Sequence, residues 1–435
     1  METADSKTRR RSDIRRVLRN RNFMLLFYAG ATSTGGFSLG QVALTWLVFV
    51  TTGSALDVAY VALASTIASI LLSLVGGTLV DRQNRQILMI LSDLVRAFSL
   101  AILAAYLYFA GFSLPLVLLV SFILGTFSTI FNPAQRAVIP KVLDPDEVAD
   151  ANGLVQVATS VFQSIASAAG GAVVAVIGVV AAMGVNSATF AISASLTASM
   201  TLGILAKPNL VENDGSARKG FVSDAADGVR YIYANRGLLY LTVSAGIINL
   251  FFAMLMPFVV VYSVDALKGG ATVYGSLLAA FAIGMGPGAL LVGRTKAVAH
   301  AGVVWGVTGL VAGVAILLAA FTRSFIGAFS LFLIVGIISG YANVTWLSAV
   351  QLIVPSEMQG RYFGVDQLGS FAVMPVGQVI GAFVIQSLSI QTDFIIAAVG
   401  TCVTSFLFLL SKDMRSVAYS TESIDNPKSA LTQHA

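Results

Sequence analysis

Gly76-Gly77-Thr78-Leu79-Val80-Asp81-Arg82-Gln83-Asn84-Arg85-Gln86 places three charged side chains within five residues, between two long apolar runs at 56–80 and 87–110. Each run reaches the ~20 residues a helix needs to cross ~30 Å of hydrocarbon, so the charged stretch reads as a hinge at the water boundary of a membrane protein. Outward from it, apolar runs recur at 23–52, 114–132, 151–178, 180–206, 238–264, 272–293, 298–321, 325–348, 361–388 and 392–411, which makes twelve expected spans. Composition agrees: 57% of the 435 residues are hydrophobic, 11% are charged, and the mean hydropathy is +0.85, far from a soluble domain. A transmembrane β-barrel would alternate in shorter segments. The expected fold class is an all-α membrane protein of twelve transmembrane helices in two pseudo-symmetric six-helix bundles.

Basic residues set the orientation, because short loops rich in Lys and Arg stay cytoplasmic. Lys7, Arg9, Arg10, Arg11, Arg15, Arg16, Arg19 and Arg21 crowd the N-terminal arm. Arg82 and Arg85, Arg136 and Lys141, Arg230 and Arg236, Arg294 and Lys296, and Arg361 recur in every second loop, leaving Lys268 and Arg323 on the other side. Both termini are expected to be cytoplasmic. The first apolar run is too long for a signal peptide and lacks a small-residue cleavage site, so it is expected to be retained. The resulting organisation is a basic arm at 1–22, a six-helix bundle at 23–206, a cytoplasmic linker at 207–236, a second bundle at 237–411, and a tail at 412–435 of disorder-prone composition.

An offset of 215 residues lays Asn235-Arg236 on Asn20-Arg21, Gly340 on Gly125, and Val354-Pro355 on Ile139-Pro140. Two parallel six-helix bundles related by an axis along the membrane normal produce such a pattern and place a solute site between them near the midplane.

The opening stretch, read as Gly77-x-x-x-Asp81-Arg82-x-x-Arg85-Gln86, resembles the hallmark loop of the major facilitator superfamily, with Gln86 in place of the last arginine. Phe131-Asn132-Pro133-Ala134, Ile139-Pro140, Ala151-Asn152, Asp227-Gly228-Val229-Arg230-Tyr231, Tyr274-Gly275, Val354-Pro355 and Gly360-Arg361 are similar to the branch exporting drugs, macrolides and enterobactin. The resemblance implies the major facilitator fold and a conformational gate. Asp81 would dock at the N-terminus of the eleventh helix, near Arg361 to Asp366, where free backbone amides and the helix dipole favour an anion. Arg82 and Arg85 are expected to pair with acids among Asp144, Asp146, Glu147 and Asp150. Gly76 and Gly77 would let the second helix pack closely against a neighbour. The alternative is a solvated loop that only sets topology.

Charge inside the spans is rare, as its cost of roughly 2.5–3.5 kcal/mol at the bilayer centre demands. Asp93 and Arg96 in the third span are the exception, spaced i,i+3 on one helical face and roughly 9 and 13 Å along the helix from Ile87. Asp93 is a candidate for proton coupling. Alternatively the pair holds the third helix against its neighbours, since Arg96 favours an ionised Asp93. Against the resembled exporters, Gly35-Gly36-Phe37 lacks an acid in the first span, the fourth lacks the arginine-bearing motif, and the fifth has Gly170-Gly171 without proline. Gly288 to Lys296, the counterpart of the hinge in the second half, has no Asp. Proton antiport is therefore implied by resemblance alone.

In this fold the first, fourth, seventh and tenth spans line the solute cavity. Phe37, Gln41, Phe127, Phe131, Asn249, Phe252, Met256, Tyr341, Asn343 and Trp346 are the candidate wall, and for each the alternative is helix packing or lipid contact. Apolar surface with sparse amide anchors suits a lipophilic or amphipathic small molecule such as a drug, a macrolide or a siderophore-like compound.

Other classes fit less well. His300 and His434 are the only histidines and Cys402 the only cysteine, so no catalytic or metal site is expected and the chain is not read as an enzyme. No phosphate-binding Gly-Lys-Ser/Thr loop supports ATP-driven pumping. The pI near 9.3 comes from dispersed loop charges, which suit anionic lipid headgroups rather than nucleic acid. The expectation is a monomeric secondary exporter in the plasma membrane of a prokaryote, without a cofactor and driven by an ion gradient, with protons implied. A nutrient importer and a non-transporting sensor or scaffold are the alternatives.

Overall fold

The structure, a computed structural model, describes residues 16–144, 147–201, 229–292, 295, 300–355, 358–359, 361–362, 365–366, 369 and 372–411; side chains at 73–82, 149–150, 156–157 and 160 are outside that description. The linker at 207–228, most of the arm and the tail after 411 therefore lie outside it. Among the described residues eleven long helices carry the fold: α1 Arg21–Thr52, α2 Ala55–Arg82, α3 Arg85–Phe109, α4 Leu114–Val142, α5 Val148–Ala198, α6 Arg236–Leu255, α7 Ala271–Val292, α8 Ala301–Phe321, α9 Phe325–Ile353, α10 Met374–Ser387 and α11 Ile390–Leu410.

Ten segments among the described residues are long and apolar enough to cross a membrane, and α10 is a shorter apolar helix. One of the ten, Val161–Ala198, holds two of the expected spans. The boundary expected between 178 and 180 is present as a break inside α5, where Gly178 takes φ 80 and ψ 168. Only glycine adopts that conformation without a Cβ penalty, so the chain turns there without a loop. The first half of the eleventh expected span is only partly described, and the count of twelve rests on that segment.

Helix starts follow local chemistry. Asn20 caps α1 by accepting from the Phe23 amide at 3.1 Å, and Asn235, its counterpart at the 215-residue offset, caps α6 by accepting from Leu238 at 3.3 Å. Asn84 accepts from the Gln86 and Ile87 amides to start α3. Ser389 does the same for α11 through Thr392. Such caps satisfy amides that the helix itself cannot.

By contacts the chain divides into two compact units, Met1–Gly215 with Pro257–Ala282, and Ser216–Met256 with Ile283–Ala435. Pro257–Ala282 thus packs in the first unit. There Gly171 of α5 and Gly275 of α7 bring their backbones so close that a Cβ on either would strike the other, and Tyr274 hydrogen-bonds Thr45. Beyond α6 the chain leaves regular geometry where Pro257 removes a donor, passing through the 3-10 turn Met256–Phe258 and the π turn Tyr262–Ala266.

In the first unit α1 packs on α5, α2 on α4, and α3 on both α4 and α5. Phe23, Leu26, Met89, Phe131 and Ile139 form one buried cluster. In the second unit α8 packs on α11 and α9, and α6 on α10 and α11, with Leu238, Leu241, Val350, Val354 and Tyr362 clustered. One contact recurs in both. A Cβ on Gly125 of α4 would collide with the Ser65 backbone of α2, and one on Gly340 of α9 with the Met285 backbone of α7. Gly125 and Gly340 are related by the same offset. Gly284 and Gly288 of α7 likewise meet the backbone of α9 near Leu333 and Ile337. In lipid, where burial of apolar surface does not drive helices together, such close approach supplies the attraction. Gly288→Leu should therefore lower stability by about 1–3 kcal/mol or more, read as a lower melting temperature in detergent. Gly286→Ala on the same helix, where a Cβ meets nothing within 4 Å, should leave it unchanged.

Candidate functional site

The third span carries the charge cluster. Asp93 and Arg96 are almost wholly buried, at 0% and 1% exposure, and Arg96 Nη2 donates to Asp93 Oδ1 at 2.5 Å. Helical spacing makes this pair, and neighbouring helices complete it. Ser33 of α1 donates to Asp93 Oδ1 at 3.0 Å while accepting from Arg96 Nη2 at 3.1 Å. Arg96 Nε reaches the Ser92 carbonyl one turn back at 3.2 Å. Ser193 of α5 adjoins the carboxylate and donates to the Ala29 carbonyl of α1 at 2.8 Å.

Aromatic faces close the cluster. The Arg96 guanidinium carbon lies 4.5 Å from the ring centre of Phe190 and 5.1 Å from that of Phe131. A desolvated cation against an aromatic face gains ~2 kcal/mol. Phe131, expected on the cavity wall, is instead 1% exposed and holds Arg96. Ser33, Phe190 and Ser193 were not anticipated. The one sequence signal for Ser33 is the polar run Thr32-Ser33-Thr34 inside an apolar helix.

At the hinge, the backbone of Gly77, Asp81 and Arg82 closes α2, while their side chains lie outside the described residues. Arg85 Nη1 donates to the Ala137 carbonyl of α4 at 3.1 Å, while Asp146 and the Asp150 side chain, two of the acids expected near it, lie outside the described residues. Asp144 and Glu147, two of the acids expected to receive it, pair with Arg16 at 2.6 and 3.0 Å. That ion pair and the Asn20 amide on the Val142 carbonyl at 2.7 Å tie the end of the basic arm to the loop after α4. Gln86 donates to the Thr197 and Met200 carbonyls at 2.9 and 3.0 Å, joining the start of α3 to the end of α5. In the second unit Arg361 approaches the Met358 sulfur at 3.6 Å. Asp366 is buried at 6% exposure and hydrogen-bonds Thr242 of α6, which also meets the Tyr362 hydroxyl at 3.0 Å.

The other expected wall residues divide between the two units. In the first, Phe37 and Phe127 are half-buried and Gln41 donates to Ser65 at 3.3 Å. In the second, Phe252 and Met256 line an apolar pocket with Ile316, Phe332, Val335 and Phe394. Asn249 is half-buried and Asn343 exposed. The Tyr341 hydroxyl pairs with Thr295 at 2.9 Å, and Trp346 packs on the Leu238 cluster. The third span is not the sole exception for buried acids: besides Asp366, Asp393 of α11 is fully buried. Among the described residues no group of three or more His, Cys, Asp or Glu side chains could hold a metal ion.

Apolar spanning helices, glycine-mediated contacts recurring in two units, and a neutralised ion pair inside one of them define a polytopic membrane protein. Residues 16–432 match the family described as transmembrane secretion effector, and the chain belongs to that family of the major facilitator superfamily. It is 24% identical over 388 residues to the multidrug efflux pump Tap of Mycolicibacterium fortuitum, covering 86% of this chain and 91% of that protein. It is 23% identical over 389 residues to macrolide efflux protein A of Streptococcus pyogenes, covering 86% and 93%. The fold is similar, with a TM-score of 0.70 at 14% identity over 92% of this chain and 99% of the other, to a bacterial homologue of the human lysosomal transporter Spinster crystallised in an inward-facing, occupied conformation.

Removing one partner of a buried ion pair costs about 3–5 kcal/mol, because the other charge is left uncompensated. Asp93→Asn should accordingly melt well below the wild type in detergent, and Ser33→Ala, which removes one hydrogen bond to each of the two charged groups, should lose about 1.5–3 kcal/mol of stability or more.

Proposed function

We propose that this chain exports a lipophilic or amphipathic small molecule across the plasma membrane of a prokaryote. It does so by alternating access, as a monomer with both termini cytoplasmic, and exchanges its substrate for protons without a cofactor. The observation that carries this reading is similarity over most of the chain to two proteins named for efflux, one of multiple drugs and one of macrolides. The wall chemistry supports it: Phe37, Phe127, Phe252 and Met256 offer apolar surface, with amides at Gln41, Asn249 and Asn343 as sparse anchors.

In this reading the hinge is the gate. Asp81, together with Gly77, Arg82, Arg361 and Asp366, latches one state of the cavity, while Arg85 and Gln86 hold the start of α3 so that the turn at 83–84 moves as a fixed unit. The Asp93–Arg96 cluster acts as a brace across α1, α3, α4 and α5. Both of its charges are already spent on each other, on Ser33 and on two aromatic faces, which supports a static role over proton carriage.

Inside-out vesicles with an imposed proton gradient test the reading. Ethidium or a macrolide should accumulate in wild-type vesicles and collapse with an uncoupler. Asp81→Asn should slow accumulation about tenfold if the latch contributes ~1.4 kcal/mol, within the range for a carboxylate at a helix N-terminus. Accumulation of a nutrient into whole cells, with none of these compounds exported, would replace export with import.

A further inference from the structure

Asp393 lies in the first turn of α11, fully buried, and among the described residues neither of its carboxylate oxygens has a hydrogen-bond partner. This separates it from Asp93, which is bound by a guanidinium and a hydroxyl, and from Asp366, which reaches Thr242. The next residue, Phe394, faces the apolar pocket of Phe252, Met256 and Phe332.

Its charged surroundings are sparse. α8 and α10, which pack on α11, contain no titratable side chain, and α6 contributes only Arg236 and Tyr240 in its first turn and a half. α9, which shares the pocket, contributes Tyr341, and α11 itself adds Cys402 more than two turns away. Arg323, in the turn after α8, is engaged by Gln391 when that amide oxygen is turned toward it. An ionised carboxylate with no partner in such a place would cost several kcal/mol, and groups so placed neutralise instead.

We propose that Asp393 is the proton-carrying carboxyl of the second unit. It holds a proton in the sealed arrangement seen here and exchanges it with water on the membrane face opposite residue 411 when the helices around α11 part. The step is a simple acid dissociation: the Oδ–H bond breaks, water takes the proton, and the carboxylate keeps the electron pair. The fold makes both states accessible. Buried, the acid is neutral and apolar enough for its pocket; wetted, the carboxylate sits in the first turn of a helix, where the dipole favours an anion, close in sequence to Gln391 and its guanidinium partner. The inference rests on the proton-antiport reading.

The full-length protein in liposomes separates the two. Ethidium is followed in wild type, Asp393→Asn and the smaller Asp393→Ser, once under a pH gradient and once as exchange at equal pH on both sides. The expected result is that both variants retain exchange and lose gradient-driven accumulation. Variants that accumulate ethidium like the wild type, with the same pH dependence, overturn the proposal and leave proton-driven export standing. A wild type indifferent to the gradient overturns the antiport reading. In that case the carrier role falls with it, and infrared spectroscopy decides only whether the sealed carboxyl is protonated: a protonated C=O band present in the wild type and lost in Asp393→Asn upholds that part, and a spectrum unchanged by the substitution overturns it.

Discussion

The constraint on which the rest depends is that lipid offers no partner to a polar group. Every charge inside the fold must be neutralised by the protein, and every helix contact must come from close packing or hydrogen bonds rather than from exclusion of water. Asp93 and Arg96 meet the first demand as a pair, and Ser33, Phe131 and Phe190 extend it into a junction of α1, α3, α4 and α5. The glycine contacts meet the second. Gly125 against Ser65 and Gly340 against Met285 place backbone on backbone between corresponding spans of the two halves of the sequence.

From these follows a division of labour. The interior of the first unit is held by a closed electrostatic cluster, and its hinge end by hydrogen bonds from Arg85 and Gln86 to backbone carbonyls. The second unit has no such ion pair among its described residues. Its buried acids, Asp366 and Asp393, face hydroxyl or apolar surroundings. A transporter needs parts that stay fixed and parts whose charge or packing alternates, and the proposed cycle takes the closed cluster of the first unit as a fixed part. The irregular stretch from Met256 to Ala266, with its 3-10 and π turns, is a second place, besides Gly178, where the chain departs from a rigid rod.

Much of this was legible in the sequence because it is local. The break between spans at 178–180 and the i,i+3 pairing of Asp93 with Arg96 each depend on a few neighbouring residues and on helix geometry. The duplicated glycine needed only an offset. What escaped was tertiary. Phe131 reads as an apolar residue of the fourth span whether it faces a cavity or a guanidinium. Charge alone does not reveal that Arg16, distant in sequence, is the partner of Asp144 and Glu147. Asp393 stands one turn from the start of its span, where an acid ordinarily serves the helix N-terminus in water, and only packing reveals that both oxygens are sealed.

The central claim is that the Asp93–Arg96 cluster is a brace and not the coupling device. Its most direct test is gradient-driven ethidium uptake by the double variant Asp93→Leu with Arg96→Met, because well-packed apolar residues can replace a buried ion pair at little cost. A folded double variant that still accumulates the dye under a proton gradient is the predicted result. A folded double variant that exchanges ethidium but no longer responds to the gradient would contradict the account and return the coupling proton to Asp93.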